Sequence, residues 1–254
     1  MANGCKTLHG ETDVDFLIAK TAIESAQRQD TIFVSEDTVL IVLLCCHGEM
    51  ESHNLYICCD SKRLKVQIWD IKSVKRRLGR AICSCLLFTH AILGCDTTSS
   101  LYGLCKGTGL KKHAGSPHFQ QHADAFSSPA ASIGDIENAG ECAFLLIYNG
   151  KPGDTLDEPR YCEKLTTCNT HIHPQILPPT TDAAKYHSYR VYRQIQAWNG
   201  VDISPEQWVW QLIDGQLRPV SLDMAPAPDE LLQIIDCGNS PSVTLADWSE
   251  HNDD

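Results

Sequence analysis

Thr31-Ile32-Phe33-Val34-Ser35-Glu36-Asp37-Thr38 is followed at once by the apolar run Val39-Leu40-Ile41-Val42-Leu43-Leu44-Cys45-Cys46. The first four residues are β-branched or aromatic and read as a short buried strand. A strand, then carboxylates, then a second apolar segment is an α/β unit. Its acids fall at the carboxyl end of the strand, where α/β folds place their ligands.

The flanking sequence extends this pattern. Upstream, Val14, Leu17, Ile18, Ala22 and Ile23 keep helical spacing across Glu11–Gln27, and Glu11, Asp13 and Asp15 crowd its first turn. Carboxylates there are favoured by the helix dipole, so helix capping accounts for them as readily as chemistry does. Downstream, 54–59 and 66–71 read as two strands of a hairpin, 72–78 as a basic helix closed by Gly79, and 80–93 as an apolar-faced helix. A glycine-punctuated loop follows, from Gly94-Cys95-Asp96-Thr97 to Gly103-Leu104-Cys105-Lys106-Gly107 and on to Lys111-Lys112. Residues 117–153 read as mostly helical, and 174–181 as a proline-rich linker. Residues 182–198 form a Tyr- and Arg-rich helix whose aromatic spacing suits a packing face, and a short helix is expected at 228–235.

The bulk numbers bound what the chain does. Its 254 residues allow one sizeable domain with an appendage, with 43% hydrophobic and 21% charged residues, an ordinary globular balance. An odd count of 13 cysteines speaks against a complete disulfide framework. The expectation is an intracellular protein, nuclear or cytoplasmic, with no membrane association, because no apolar run approaches the ~18 residues that cross a bilayer. Net charge is −11, divided unevenly. Residues 1–113 carry 14 Lys+Arg against 12 Asp+Glu, whereas residues 114–254 carry 7 against 20. The first part is therefore the one compatible with a phosphate-facing surface.

Carboxylates set at the ends of separate elements are what two-metal phosphodiester hydrolysis requires. Their order and spacing resemble flap-endonuclease-like PIN domains: Gly10-Glu11-Thr12-Asp13, then Val34-Ser35-Glu36-Asp37, then Leu93-Gly94-Cys95-Asp96, then Gly103-Leu104-Cys105-Lys106. The stretch from His90 to Thr97, with Leu177–Thr181 and Cys237-Gly238, is similar also to metazoan transposon-like proteins. This resemblance implies an α/β fold, a PIN-like parallel sheet with helices on both faces, and a mainly helical C-terminal extension. It implies a partial PIN-like domain at 1–113, the extension at 114–236, and an acidic, disordered tail at 237–254. Because preceding strands of the superfamily have no counterpart, it also implies a truncated or degenerate nuclease.

Carried over position by position, Glu11, Asp13, Asp37 and Asp96 would be the catalytic and metal-binding carboxylates for Mg²⁺ or Mn²⁺. Lys106, Thr108, Lys111 and Lys112 would hold nucleic-acid phosphate through 94–112. The chain departs from the pattern at Val39, where a second aspartate belongs, and at Cys105, where the turn has glycine. The implied activity is structure-specific cleavage of DNA or RNA. The alternative is a catalytically inactive nucleic-acid-binding or protein-interaction remnant. Two rival sites are weaker in pattern. One is zinc at Cys162, Cys168, His171 and His173, whose spacing matches no standard arrangement. The other is nucleophilic catalysis at His90, Cys95, Ser99 or Ser100, which has no orienting third group.

Overall fold

The structure is a computed structural model that describes residues 9, 13–59, 67–113, 115–151, 153–157, 159 and 177–220. Glu11, the Cys/His group at 162–173, the segment 228–235 and the tail after 237 lie outside the described residues.

The chain is mixed α/β. Helix α1 (Val14–Ala26) leads into β1 (Thr31–Val34), then α2 (Thr38–His47), β2 (Leu55–Cys59) and β3 (Gln67–Asp70). Helices α3 (Ile71–Leu78), α4 (Arg80–Ile92), α5 (Lys106–His113), α6 (Pro117–Ser127), α7 (Ile133–Ile147) and α8 (Thr181–Trp198) follow. A 3₁₀ turn at Pro205–Gln207 and a hairpin of β4 (Trp210–Ile213) and β5 (Gln216–Pro219) complete the described chain. Among the described residues no helix is long and apolar enough to cross a membrane.

The first sheet has the order β1-β2-β3 and is mixed. β1 pairs parallel to β2, with Phe33 opposite Ile57, and β2 pairs antiparallel to β3, with Ile57 opposite Trp69. This corrects the parallel sheet implied by the resemblance. β3 follows β2 after a short connection, and a short connection permits only antiparallel return. One face holds the buried Leu55 and Ile57, with α1 and α3 in contact with β2. On the other face Ile32, Val34 and Ile68 are exposed, so β1 is not the buried strand its composition suggests, and helices on both faces are not found among the described residues.

Helix α4 is the centre of the packing. Every residue from Cys85 to Leu93 is buried, and α2, α6 and α8 all contact it. Phe88 lies against Phe119 and Phe126 of α6, with ring centroids 5.2 and 4.7 Å apart. Tyr192 of α8 joins the same aromatic group and stacks at 4.2 Å on Trp208. His187 of α8 is buried and donates from Nε2 to the Ile92 carbonyl at 3.0 Å. Burial holds this imidazole neutral, its pKa down at about 4. Helices after residue 113 thus share one hydrophobic core with those before it. The aromatic face of 182–198 is a packing face: Tyr186, Tyr189, Tyr192 and Trp198 are all buried.

Helix ends follow their sequence signals. Ser132 and Asp135 close a capping box on α7, and Thr180 Oγ1 accepts from Ala183 N at 3.2 Å to start α8. α7 and α8 cross at Gly140, where a Cβ would lie 2.0 Å from Ser188 Oγ and 2.6 Å from Ser188 Cβ. This contact generates a test. Alanine has the better helix propensity by ~1 kcal/mol, but the overlap forces the helices apart. Gly140→Ala is therefore expected to lower unfolding stability by about 1–3 kcal/mol in denaturant titration, and Ser188→Gly in the same chain to recover part of it.

Candidate acidic site

Three separated stretches meet at one cavity of about 290 Å³, and its walls include Asp13, Asp15, Asp37 and Asp96. Asp13 is the N-cap of α1, where Oδ1 accepts from Phe16 N at 3.0 Å. Asp13 thus caps α1 and lines the cavity at once. Asp37 is the N-cap of α2, just beyond the carboxyl end of β1. Its Oδ1 accepts from Val39 N at 2.9 Å, and its own N–H donates to Ser35 Oγ at 3.0 Å. β1 therefore ends, and α2 begins, on the same short Ser-Glu-Asp segment.

Asp96 sits on a tight turn after α4. Cys95 N–H donates to Thr98 O and Thr98 N–H to Cys95 O, both at 3.2 Å. The Thr98 hydroxyl is buried and donates to the Ala91 carbonyl at 2.7 Å, fastening the turn to the end of α4. Gly94 makes this possible. Its φ is +112°, and a Cβ there would lie 2.5 Å from Ser100 Cα. Only glycine meets both conditions without strain.

One side chain with no local pattern to single it out links Asp13 to the turn that carries Asp96. Gln194 of α8 donates from Nε2 to Asp13 Oδ2 at 2.9 Å and accepts at Oε1 from the Thr97 hydroxyl at 2.7 Å. The amide thus spans the N-terminus of α1 and the Asp96 turn. Its position within a packing helix, 181 residues from Asp13 in sequence, leaves no local pattern to read.

Lys106, in the first turn of α5, reaches the same cavity and donates from Nζ to His90 Nε2 at 3.0 Å. Burial, and then the ammonium beside it, depress His90 to about 4, so the ring is neutral and its proton is on Nδ1. Burial also lowers the Lys106 pKa. His90 is buried, whereas Lys106, Thr108 and Lys111 are exposed on α5. Thr108 Oγ1 is 3.0 Å from Cys105 Sγ. The Cys95 thiol lies near the Thr97 and Thr98 hydroxyls, at 3.4 and 3.2 Å, and His90 is committed to Lys106, which leaves the Cys/His nucleophile reading without a pair.

Val39 lines the cavity but is buried within the hydrophobic core, so the position where the resemblance expects an aspartate is filled by packing. Trp198, also lining it, is buried and its indole Nε1–H has no partner. The donor set suits a hard divalent cation, since carboxylates are its natural ligands and hydrated Mg²⁺ needs only one or two of them directly. Asp13 has hydrogen bonds at both oxygens and Asp37 at one, which leaves Asp15, Asp96 and the second oxygen of Asp37 to hold a cation. Among the described residues no three Cys, His, Asp or Glu side chains are gathered as a ready metal-binding group. A hydrated cation held through its waters is the arrangement that fits. No protein-family model, curated protein or solved structure matches this chain.

Asp15 carries the electrostatic strain of the site. Burial raises its pKa, and the carboxylates of Asp13, Asp37 and Asp96 raise it further. Folding therefore favours the protonated form. That contribution is complete below the ordinary value of 3.8 and is lost as pH rises through the higher folded value, so the charged group opposes folding at neutral pH. Asp15→Asn is accordingly expected to raise the Tm at pH 7 without added metal, with the gain shrinking as pH falls toward 4. Equal gains at every pH would contradict the repulsion described here.

Proposed function

We propose that this chain descends from flap-endonuclease-like PIN nucleases and that its acidic cavity is a Mg²⁺- or Mn²⁺-dependent site for cleaving nucleic-acid phosphodiesters. The observation that carries this reading is the meeting of Asp13, Asp15, Asp37 and Asp96, from three distant stretches, at one cavity that also holds Lys106. Mutually repelling carboxylates are retained where a cation or a developing positive charge is to be held.

In this reading Asp15, Asp37 and Asp96 hold the cation, and Glu11 belongs to the same set through the resemblance. Bound there, a divalent ion would supply the charge that neutralises phosphate and the acidity that activates a water. Asp13 is a positioning residue, fixed by Gln194 and Phe16 N. Lys106 stands at the start of α5, where a phosphate would meet its ammonium. The neutral His90 behind it accepts from Lys106 and aims its Nζ. Thr108 and Lys111 extend the phosphate-facing surface along α5, and Lys112 joins them through the resemblance; contacts there would fix register and carry salt-dependent affinity without reading sequence.

A second reading is favoured by two specific observations. Val39 is buried where the family resemblance expects a ligand, and Asp13 is hydrogen-bonded at both oxygens. These features suit a site that keeps the scaffold and the phosphate-facing helix but no longer cleaves, a nucleic-acid-binding remnant.

Incubation of purified protein with a labelled flap duplex and Mg²⁺ or Mn²⁺ separates the two. The expected result is metal-dependent cleavage, reduced at least about a hundredfold in Asp96→Asn. Absence of cleavage, with duplex binding that weakens as salt rises and weakens further in Lys106→Ala or Lys111→Ala, establishes the second reading instead. Neither cleavage nor binding overturns both.

A further inference from the structure

A second and larger cavity, about 860 Å³, is bounded by α2, the junction of α3 with α4, and the end of α8. That volume is within the ~300–1,000 Å³ typical of small-molecule sites. Its chemistry is divided. One side is basic: Lys75, Arg76 and Arg80 line it, around Gly79. Gly79 is the N-cap of α4 and provides no side-chain cap, so the first N–H groups of a thirteen-residue helix are left to an outside acceptor. A Cβ at Gly79 would meet nothing within 4 Å, so the approach to that helix end is open. Lys75 is occupied with the Gly48 carbonyl. Arg76 and Arg80 are exposed and, among the described residues, make no ion pair.

The other side is apolar and soft. Cys45, Cys46 and Cys83 line it together with Leu87. Burial pushes the Cys45 thiol up to about 11 and the Cys46 thiol to about 12, so these are neutral, polarisable surfaces at physiological pH. Gln196 supplies an independent observation. It lines the cavity and is fully buried; its Nε2 donates to the Phe126 carbonyl at 2.8 Å, and its Oε1 has no partner. A buried acceptor left unpaired costs about 1–3 kcal/mol, and a ligand that donates to it recovers that cost.

An occupant therefore needs an anionic group, a flat apolar body, and an N–H donor at the far end. We propose that this cavity binds a nucleoside phosphate, free or at the end of a nucleic-acid strand, with the phosphate between Arg76 and Arg80 at the N-terminus of α4 and the base on Cys45, Cys46 and Cys83, donating to Gln196 Oε1. The inference does not rest on the nuclease reading, because none of these residues lines the acidic cavity.

Calorimetric titration of the full chain tests it, using each of AMP, GMP, CMP and UMP, their parent nucleosides, inorganic phosphate and a phosphorylated dinucleotide. At least one nucleoside monophosphate is expected to bind with unit stoichiometry, its nucleoside and inorganic phosphate at least about tenfold more weakly. Arg76→Ala with Arg80→Ala, both exposed and therefore compatible with folding, is expected to weaken it by at least about tenfold. Gln196→Met, close in volume, is expected to abolish preference among the four bases while leaving phosphate affinity unchanged. A dinucleotide that binds as tightly as the monophosphate assigns the site to strand ends, and one that does not assigns it to free nucleotides. No binding of any monophosphate at about 1 mM, equal binding of phosphate alone, or affinity indifferent to the double arginine variant overturns the proposal.

Discussion

The burial of α4 on all sides from Cys85 onward is the constraint on which the rest of the structure depends. A helix with polar groups along one face can lie on a surface. One whose residues from Cys85 to Leu93 are all withdrawn from solvent has to be surrounded. α2, α6 and α8 do this, and each brings something to the sites. α2 brings its capping aspartate and three lining thiols or imidazoles, and α8 brings Gln194 and Gln196. α4 itself begins at the basic cavity and ends at the turn that carries Asp96. Some polar groups trapped in this packing are answered within it, as the Ile92 carbonyl is by His187 and the Ala91 carbonyl by Thr98, while Thr89 Oγ1 and Gln196 Oε1 are not.

Much of the fold was legible because its signals are local. Helical spacing at Val14–Ile23 and along 182–198 does give α1 and α8, and the β-branched run Thr31–Val34 is a strand. The Gly-Cys-Asp-Thr motif was legible for the same reason: Gly94 alone permits the turn that sets Asp96 at the end of α4. Three of the acids singled out by spacing, Asp13, Asp37 and Asp96, do line one cavity.

What could not be read locally depends on which surfaces end up facing each other. The hairpin of β2 and β3 is as the sequence suggests, but no local signal shows that Ile32, Val34 and Ile68 stay uncovered on one face of the sheet. Asp15 was visible as one more acid in a first turn, but its electrostatic burden comes from partners up to 81 positions away and exists only once they are folded together. Gln194 and Gln196 are two neutral amides inside a helix whose aromatic spacing announced packing, which it does provide. Their value lies in unmatched groups on other elements, and a single sequence has no signal for that. The Asp13 carboxylate shows how a local rule and a distant one can share a residue, since one oxygen obeys the helix-capping rule and the other answers α8.

Gln194 and Gln196 are two positions apart, so on a helix they point to nearly opposite sides, about 200° around the axis. α8 is therefore a partition wall with one amide facing the acidic cavity and the other facing the basic one. His47, lining the basic cavity, donates to the main-chain carbonyl of Trp198, whose ring lines the acidic cavity, which gives the wall a second attachment. A rotation of α8 that improves one amide's contacts turns the other away. Because both amides belong to one buried helix, a single register of α8 fixes the wall of both cavities at once.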